Sequence, residues 1–343
     1  MSGGTATAVL PAPDLRLRPA AWHRPSVALA VGMAALGAVT AVLVVVDPRE
    51  ITGLAAWAKP TKFALSIALY AATLAWLVGQ LPPGSGGRRW ADRAATTAVL
   101  GLVVEMVIIV GAAAAGTTSH FNVSTPLTAA LWSVMGASIA VVWLMTAVVG
   151  VALLRTPGTD RARRVALLSA VALGLVGMAV AVLMTMPTPE QQASFTGVVG
   201  AHAVGAPDDG PGLPFLGWST VAGDLRVPHF VGMHALQGLP LGLLALELLA
   251  RRVPALRDLR VRTRLVVVGA LTWGALTGVL TLQALSGQSV VRPAGAVAVV
   301  GVAVLVAAVA TAACTVLAGS RRPRGATAAD AVGDLSEPSA GPA

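Results

Sequence analysis

The sequence predicts an all-α fold, a polytopic transmembrane bundle of about eight spans with both termini cytoplasmic, and three observations predict it. The chain is 56% hydrophobic and 11% charged over 343 residues, with a mean hydropathy of +0.78, too apolar for a soluble chain of this length. Eight apolar stretches reach the roughly 20 residues that a hydrocarbon core of about 30 Å requires of a helix. Finally, 19 of the 24 lysines and arginines fall in the N-terminal segment, the alternate loops and the tail, the bias expected of cytoplasmic segments.

Taken in order, residues 1–25 carry Pro and Arg but no apolar core and no small-residue cleavage pattern. They are expected to form a disordered cytoplasmic segment before an uncleaved first helix. Spans are expected to start near Ser26, Pro60, Ala94, Leu127, Val165, His229, Leu265 and Ala294, giving a transmembrane domain over 26–318. Pro60 suits a first helical turn. In the fifth span Ala170, Gly174, Gly177 and Ala181 form a small-residue face, and Gly274 and Gly278 make a GxxxG in the seventh; both read as contacts between helices. The eighth span, nearly all Ala and Val, reads as scaffold or lipid-facing helix. Residues 187–228 are too long for a simple connection and contain Phe195, Phe215, Leu216 and Trp218, so they are expected to form an ordered cap on the outer face. Residues 319–343 are expected to be a disordered cytoplasmic tail.

Composition also excludes several functions. The net charge of +9 and pI near 11.4 do not point to nucleic acid, because the basic residues follow the topology; the expected partners are the lipid bilayer and its anionic headgroups. Cys314 is the only cysteine, which excludes an intramolecular disulfide and a thiolate metal cage. No CxxCH is present, so covalent c-type haem is excluded as well. HExxH, GxSxG, Walker and Rossmann patterns are likewise missing.

What remains is a small set of polar residues in or beside the spans. Glu105 lies about eleven residues into the third span, near the bilayer midplane at ~1.5 Å per residue. A carboxylate there is costly unless it is protonated or paired, which makes it a candidate catalytic or proton-carrying group; the alternative is a neutral Glu bonding neighbouring helices together. The chain uses 22 Arg and only two Lys, and both lysines, Lys59 and Lys62, fall in "WAKPTKFALS". A site that needs a compact, tunable cation favours Lys over Arg, whereas two interfacial lysines snorkelling beside Trp57 would be ordinary. Lys62, Ser66, Tyr70 and Thr73 continue a polar stripe at helical spacing, so Lys62 and Tyr70 join the catalytic candidates and Lys59 the substrate-binding ones.

Four of the five histidines, His120, His202, His229 and His234, map to the outer half. His120, His229 and His234 are candidate ligands for a metal ion or a non-covalent haem, although His229 and His234, five residues apart, lie about 140° apart on a helix. His234 and Gln237 share a face that would meet His120 if the third and sixth spans were neighbours. Asp224 and Arg226 can pair with each other, or with Lys59 and Glu190, and an Arg beside a cap can clamp an anion. With Asn122 and Gln237 they complete the candidate substrate-binding set. Asp208-Asp209-Gly210 reads as a turn, and Glu247 with Arg251 as an i, i+4 pair at the inner interface.

The segments "WAKPTKFALS", "SHFN" and "GDLRVPHFVGMHALQGLP" resemble stretches of uncharacterised bacterial multi-spanning integral membrane proteins. The resemblance implies a bacterial cytoplasmic (inner) membrane and one shared site, and carries no activity. Three functions are consistent with an outward-facing polar pocket: a metal- or haem-binding enzyme or redox site, a proton-coupled transporter or sensor of a small polar or anionic solute, and a scaffold or assembly protein whose polar residues only join helices.

Overall fold

The computed structural model describes residues 21–156 and 160–320. The expected disordered ends therefore lie outside the described residues, apart from 21–25 and 319–320. Ten helices are described: α1 (Arg24–Val46), α2 (Ala58–Gly79), α3 (Gly86–Ala114), α4 (Pro126–Leu154), α5 (Arg161–Val180), α6 (Pro189–Ala193), α7 (Arg226–Met233), α8 (Ala235–Leu249), α9 (Leu259–Leu285) and α10 (Gly295–Ser320). Among these residues seven helices are long and apolar enough to cross a membrane, and α7 with α8, bent by 42° at a short break, supplies an eighth crossing if counted as one. The chain is a multi-pass helical membrane protein.

Several helices begin earlier than the apolar pattern suggests, because polar caps and arginines extend them past the hydrocarbon. Ser85 accepts from the Arg88 N–H and starts α3, Asp160 accepts from the Arg163 N–H at α5, and Asp258 accepts from the Arg260 N–H at α9. Thr125 and Thr128 cap α4 reciprocally, just before Pro126. Each cap satisfies backbone N–H groups that the first helical turn leaves unpaired.

The crossings pack as two groups. In the first, α1 lies along α2 and α3 along α4, around Leu74, Leu77, Met135, Val142 and the small residues Ala91, Ala95 and Ala98. In the second, α5 packs on α7, α8 and α9, and α9 carries α10. The groups adjoin through α4 and α5. As expected, α10 buries none of its residues.

The small-residue face of α5 is where α7 and α8 come closest. A Cβ on Gly177 would collide with the backbone of Gly232 and Met233, and one on Gly174 would press into Leu236. Glycine is required there because the two backbones touch. In α9, Gly274 approaches Leu173, whereas Gly278 meets nothing within 4 Å, so only half of that GxxxG makes a contact. Glu247 does not pair with Arg251; it reaches across to Arg163 of α5 at 2.9 Å, which joins two helices instead of one helix to itself.

At the end opposite the clustered arginines, residues 187–228 fold over the bundle. Thr188 and Gln191 cap α6, and the Gln191 side chain then donates to and accepts from the backbone of Gly200. Four two-residue strands form two antiparallel pairs: β1 (Glu50–Ile51) with β2 (Leu54–Ala55), and β3 (Ala203–Val204) with β4 (Gly223–Asp224). The cap is stitched to the α3–α4 loop by Val123 N–H to Gly197 O and Val199 N–H to Phe121 O, at 2.8 and 2.9 Å. Trp218 packs on Phe230, but Phe195 and Phe215 are exposed and do not supply the packing expected of them.

Candidate functional site

Glu105 is 2% exposed. The loop after α3 folds back towards it: Gly116 and Phe121 adopt positive φ of 71° and 65°, and the turn brings the His120 Nε2 to 3.7 Å from Glu105 Oε1. That distance is too long for a hydrogen bond, and the other carboxyl oxygen, Oε2, is buried without a partner. His120 stacks among Phe63, Trp132 and Phe121, with ring centroids at 5.4, 5.4 and 6.2 Å, and its Nδ1 lies 3.0 Å from Ser119 Oγ.

The two lysines enter from the first turn of α2. Lys62 donates to the Leu216 carbonyl of the cap at 3.1 Å. Lys59, one turn earlier, makes no hydrogen bond or ion pair among the described residues; its ammonium lies over the Phe63 ring, 6.0 Å from the centroid. Phe63 in turn packs on His120 at 5.4 Å, which links Lys59 to Glu105 through two rings, and the ammonium and carboxyl do not close into an ion pair.

Asp224, 2% exposed, organises the cap above them. It accepts from the Ser219 N–H and from the N–H, Nε and Nη2 of Arg226, at 2.6 to 3.0 Å. Arg226 spends its remaining reach on the Gly217 carbonyl. The expected pairing of these two residues is thus with each other, not with Lys59 or Glu190.

The histidines have fixed roles. The α-helical pattern of α5 ends as the Ala181 N–H turns to Met178 O, which releases the Gly177 carbonyl; His229 Nδ1 takes it at 2.8 Å. Thr73 donates its hydroxyl to Leu69 O, so it accepts from Gln237 Nε2 at 2.9 Å, and Gln237 Oε1 in turn accepts from His234 Nδ1 at 3.2 Å. His202 Nδ1 bonds Asp208 at 2.8 Å, and Asp208 also accepts the backbone N–H groups of His202 and Ala203. In all three rings an oxygen acceptor holds a proton on Nδ1.

Several expectations change here. His234 and Gln237 meet the second span, through Thr73, and not His120. His229 and His234 lie on either side of Phe230, with ring centroids 5.7 and 6.0 Å from it, so with His120 they do not form a three-ligand set. Among the described residues no group of three or more His, Cys, Asp and Glu is placed to hold a metal ion. The Tyr70 hydroxyl donates to Thr146, which donates on to Val142 O; about 16 Å of helix rise separates it from Lys59. The Asn122 side chain is spent within its own loop, on Thr117 and Ser124. In turn, sequence reasoning missed His202 and Asp208 as a pair, the only signal being one histidine inside a Gly-rich segment six residues before an apparent turn.

Two of these imidazoles lie outside the spans and are held neutral. Burial pushes His120 well below its ordinary value, with the positive charge of Lys59 and then His202 acting the same way. Burial lowers His202 too, against the opposing pull of Asp208. Burial raises the Asp208 carboxyl, but the hydrogen bonds from His202 and from backbone N–H groups outweigh it and bring it to about 2. For a histidine neutral in the fold, the unfolded chain binds the extra proton below pH ~6.5, so stability is full above that pH and falls as pH drops beneath it. Thermal unfolding in detergent should therefore show a loss of about 1.4 kcal/mol per pH unit for His120 below pH ~6.5, and His120→Gln should flatten the slope. The Asp208 contribution, present above pH ~4, should vanish only as pH falls through about 2.

The site thus gathers one open ammonium–carboxyl pair, tautomer-fixed imidazoles and a hydrogen-bonded cap at one end of a multi-pass bundle. The chain matches no family model, no curated protein and no solved structure.

Proposed function

We propose that this integral membrane protein binds a small polar or anionic solute beneath its cap and couples binding to a proton on Glu105, as a transporter or sensor. One observation carries the reading: among the described residues Lys59 makes no hydrogen bond or ion pair, its ammonium lying over the Phe63 ring, and Glu105 keeps a buried oxygen without a partner. Holding a carboxyl and an ammonium apart at membrane depth is costly, and residues of this kind mark solute and proton pathways. The eighth crossing adds support, since it breaks between α7 and α8 at His234. Broken helices place free backbone groups and polar side chains at the binding sites of many transporters.

The remaining expectations belong to the same proposal. The clustered arginines support a cap on the outer side, both termini in the cytoplasm and anionic headgroups at the arginine-rich end, and the reading keeps the bacterial cytoplasmic membrane implied by the resemblance. Residues 187–228 act as a closed cover, pinned by Lys62 to Leu216 and by Arg226 to Gly217. A metal or haem centre draws on His120, His229 and His234, but the separation of His229 and His234 around Phe230 gives it less support. The test is reconstitution of the full chain into liposomes that trap a pH-sensitive dye. Addition of small organic acids and amino acids outside should drive proton entry that increases as the external pH falls. Proton flux equal to that of protein-free liposomes for every compound would overturn the transporter reading, and absence of binding of every compound to the full chain in detergent would overturn the sensor reading too and leave the scaffold.

A further inference from the structure

A proton bound for Glu105 from the outer side has to cross a gap, because the residue lies inside α3, roughly 13 Å of helix rise before Ala114 at its end. The α3–α4 loop spans that depth. Among the described residues His120 is the one basic side chain in ion-pair range of the carboxyl, Nε2 to Oε1 at 3.7 Å, about 0.5 Å beyond the longest N–H···O bond. The same side chain is 16% exposed, against 3% for Glu105, so one imidazole faces both the surface and the buried carboxyl. Phe63, Trp132 and Phe121 pack around it and offer a proton no other place to stop.

His120 also differs from the other outer histidines in what meets its Nδ1. At His202, His229 and His234 the partner is an oxygen that accepts and does not donate: the Asp208 carboxylate, the Gly177 carbonyl and the Gln237 amide oxygen. At His120 it is the Ser119 hydroxyl, 3.0 Å away, which donates to a lone pair or accepts from an N–H equally well. A ring that takes a proton on one nitrogen and gives one from the other must change tautomer, and a hydroxyl partner permits that change where a carboxylate or carbonyl opposes it.

Resting on the proton-coupling reading above, we infer that His120 is the relay that carries protons from the outer side to Glu105, with Ser119 as its partner in both tautomers. The ring starts with its proton on Nε2 and accepts from Ser119 at Nδ1. Outer water gives one proton to the Ser119 oxygen as the hydroxyl passes its own to Nδ1, and the Nε2 proton goes to the Glu105 carboxylate. Exchange with water at the exposed edge of the ring restores the first tautomer. The titratable and charged groups around the ring are Glu105 from α3, Lys59 from α2 beyond Phe63, and His202 with Asp208 from the cap beyond Phe121; α4 contributes Trp132. Lys59 opposes a resident imidazolium, so the charge moves on to the carboxylate.

The experiment places the full chain in liposomes that trap a pH-sensitive dye, adds glycine, alanine, glutamate or lactate outside, and reads the initial rate of proton entry. For each compound that drives entry in wild type, His120→Ala should slow it about a hundredfold, the lower end of what a positioned proton-transfer group contributes. His120→Gln, which still hydrogen-bonds but carries no proton, should be slowed as much. Imidazole supplied on both sides of the membrane should restore entry in His120→Ala, and should do nothing in Glu105→Gln or in protein-free liposomes; a ring with a merely structural role would not be replaced in this way. Wild-type rates in His120→Ala, or a loss that imidazole does not recover, would overturn the relay and leave the coupling reading standing, because wild type still moves protons. No proton entry in wild type with any of the compounds would remove the coupling reading itself, and the relay with it.

Discussion

Asp224→Ala should cost about 3–5 kcal/mol of stability, the largest loss expected from any single polar substitution in the cap. Its carboxylate is buried and receives four hydrogen bonds, three of them from Arg226. Removing it leaves a guanidinium largely out of water with only the Gly217 carbonyl, and breaking such a pair from one side is far costlier than the pair itself is worth. Thermal unfolding in detergent should show the loss, and limited proteolysis should cut first within 187–228. Asp224→Asn, which still accepts from backbone N–H groups, should retain part of the stability. A cap that stays protease-resistant in Asp224→Ala would show that this ion pair does not hold it.

Glu105→Gln should abolish solute-driven proton entry in liposomes while leaving the fold intact. Gln matches Glu in shape and can still hydrogen-bond, so stability should shift by no more than about 1 kcal/mol. What it lacks is a proton to exchange. Solute binding that survives without proton movement would assign coupling to Glu105 alone; unchanged proton entry would assign it elsewhere.

Much of the architecture was legible because the bilayer constrains it. Apolar length alone reveals α1, α4 and α10, whose sequences hold almost nothing else, and Glu105 stands out because a carboxyl in that setting is rare. The helix starts were less legible, since Arg88, Arg163 and Arg260 look like loop residues until Ser85, Asp160 and Asp258 are seen to cap them. The site was legible as a list and not as an arrangement. Periodicity treated the span starting near His229 as one straight helix, whereas the break at His234 turns Gln237 towards Thr73. Tyr70 and Thr73, read as one stripe, face different neighbours: Thr146 on α4 and Gln237 on α8. His120 reaches Glu105 only because Phe121 adopts a left-handed backbone and the cap bonds to its loop, contacts between segments some 75 residues apart in sequence that no local pattern encodes.

The account rests on Lys59 and the buried Glu105 sharing one setting. The direct test is a double-mutant cycle on the stability of the ligand-free protein, comparing wild type, Lys59→Met, Glu105→Gln and the double variant by reversible unfolding in mixed micelles. Each single change strands one charge and the double change removes both, so the double variant should lose less than the sum of the singles, with a coupling of at least about 0.5 kcal/mol. Additive losses, agreeing within about 0.3 kcal/mol, would place the two groups in separate surroundings and contradict the proposed site.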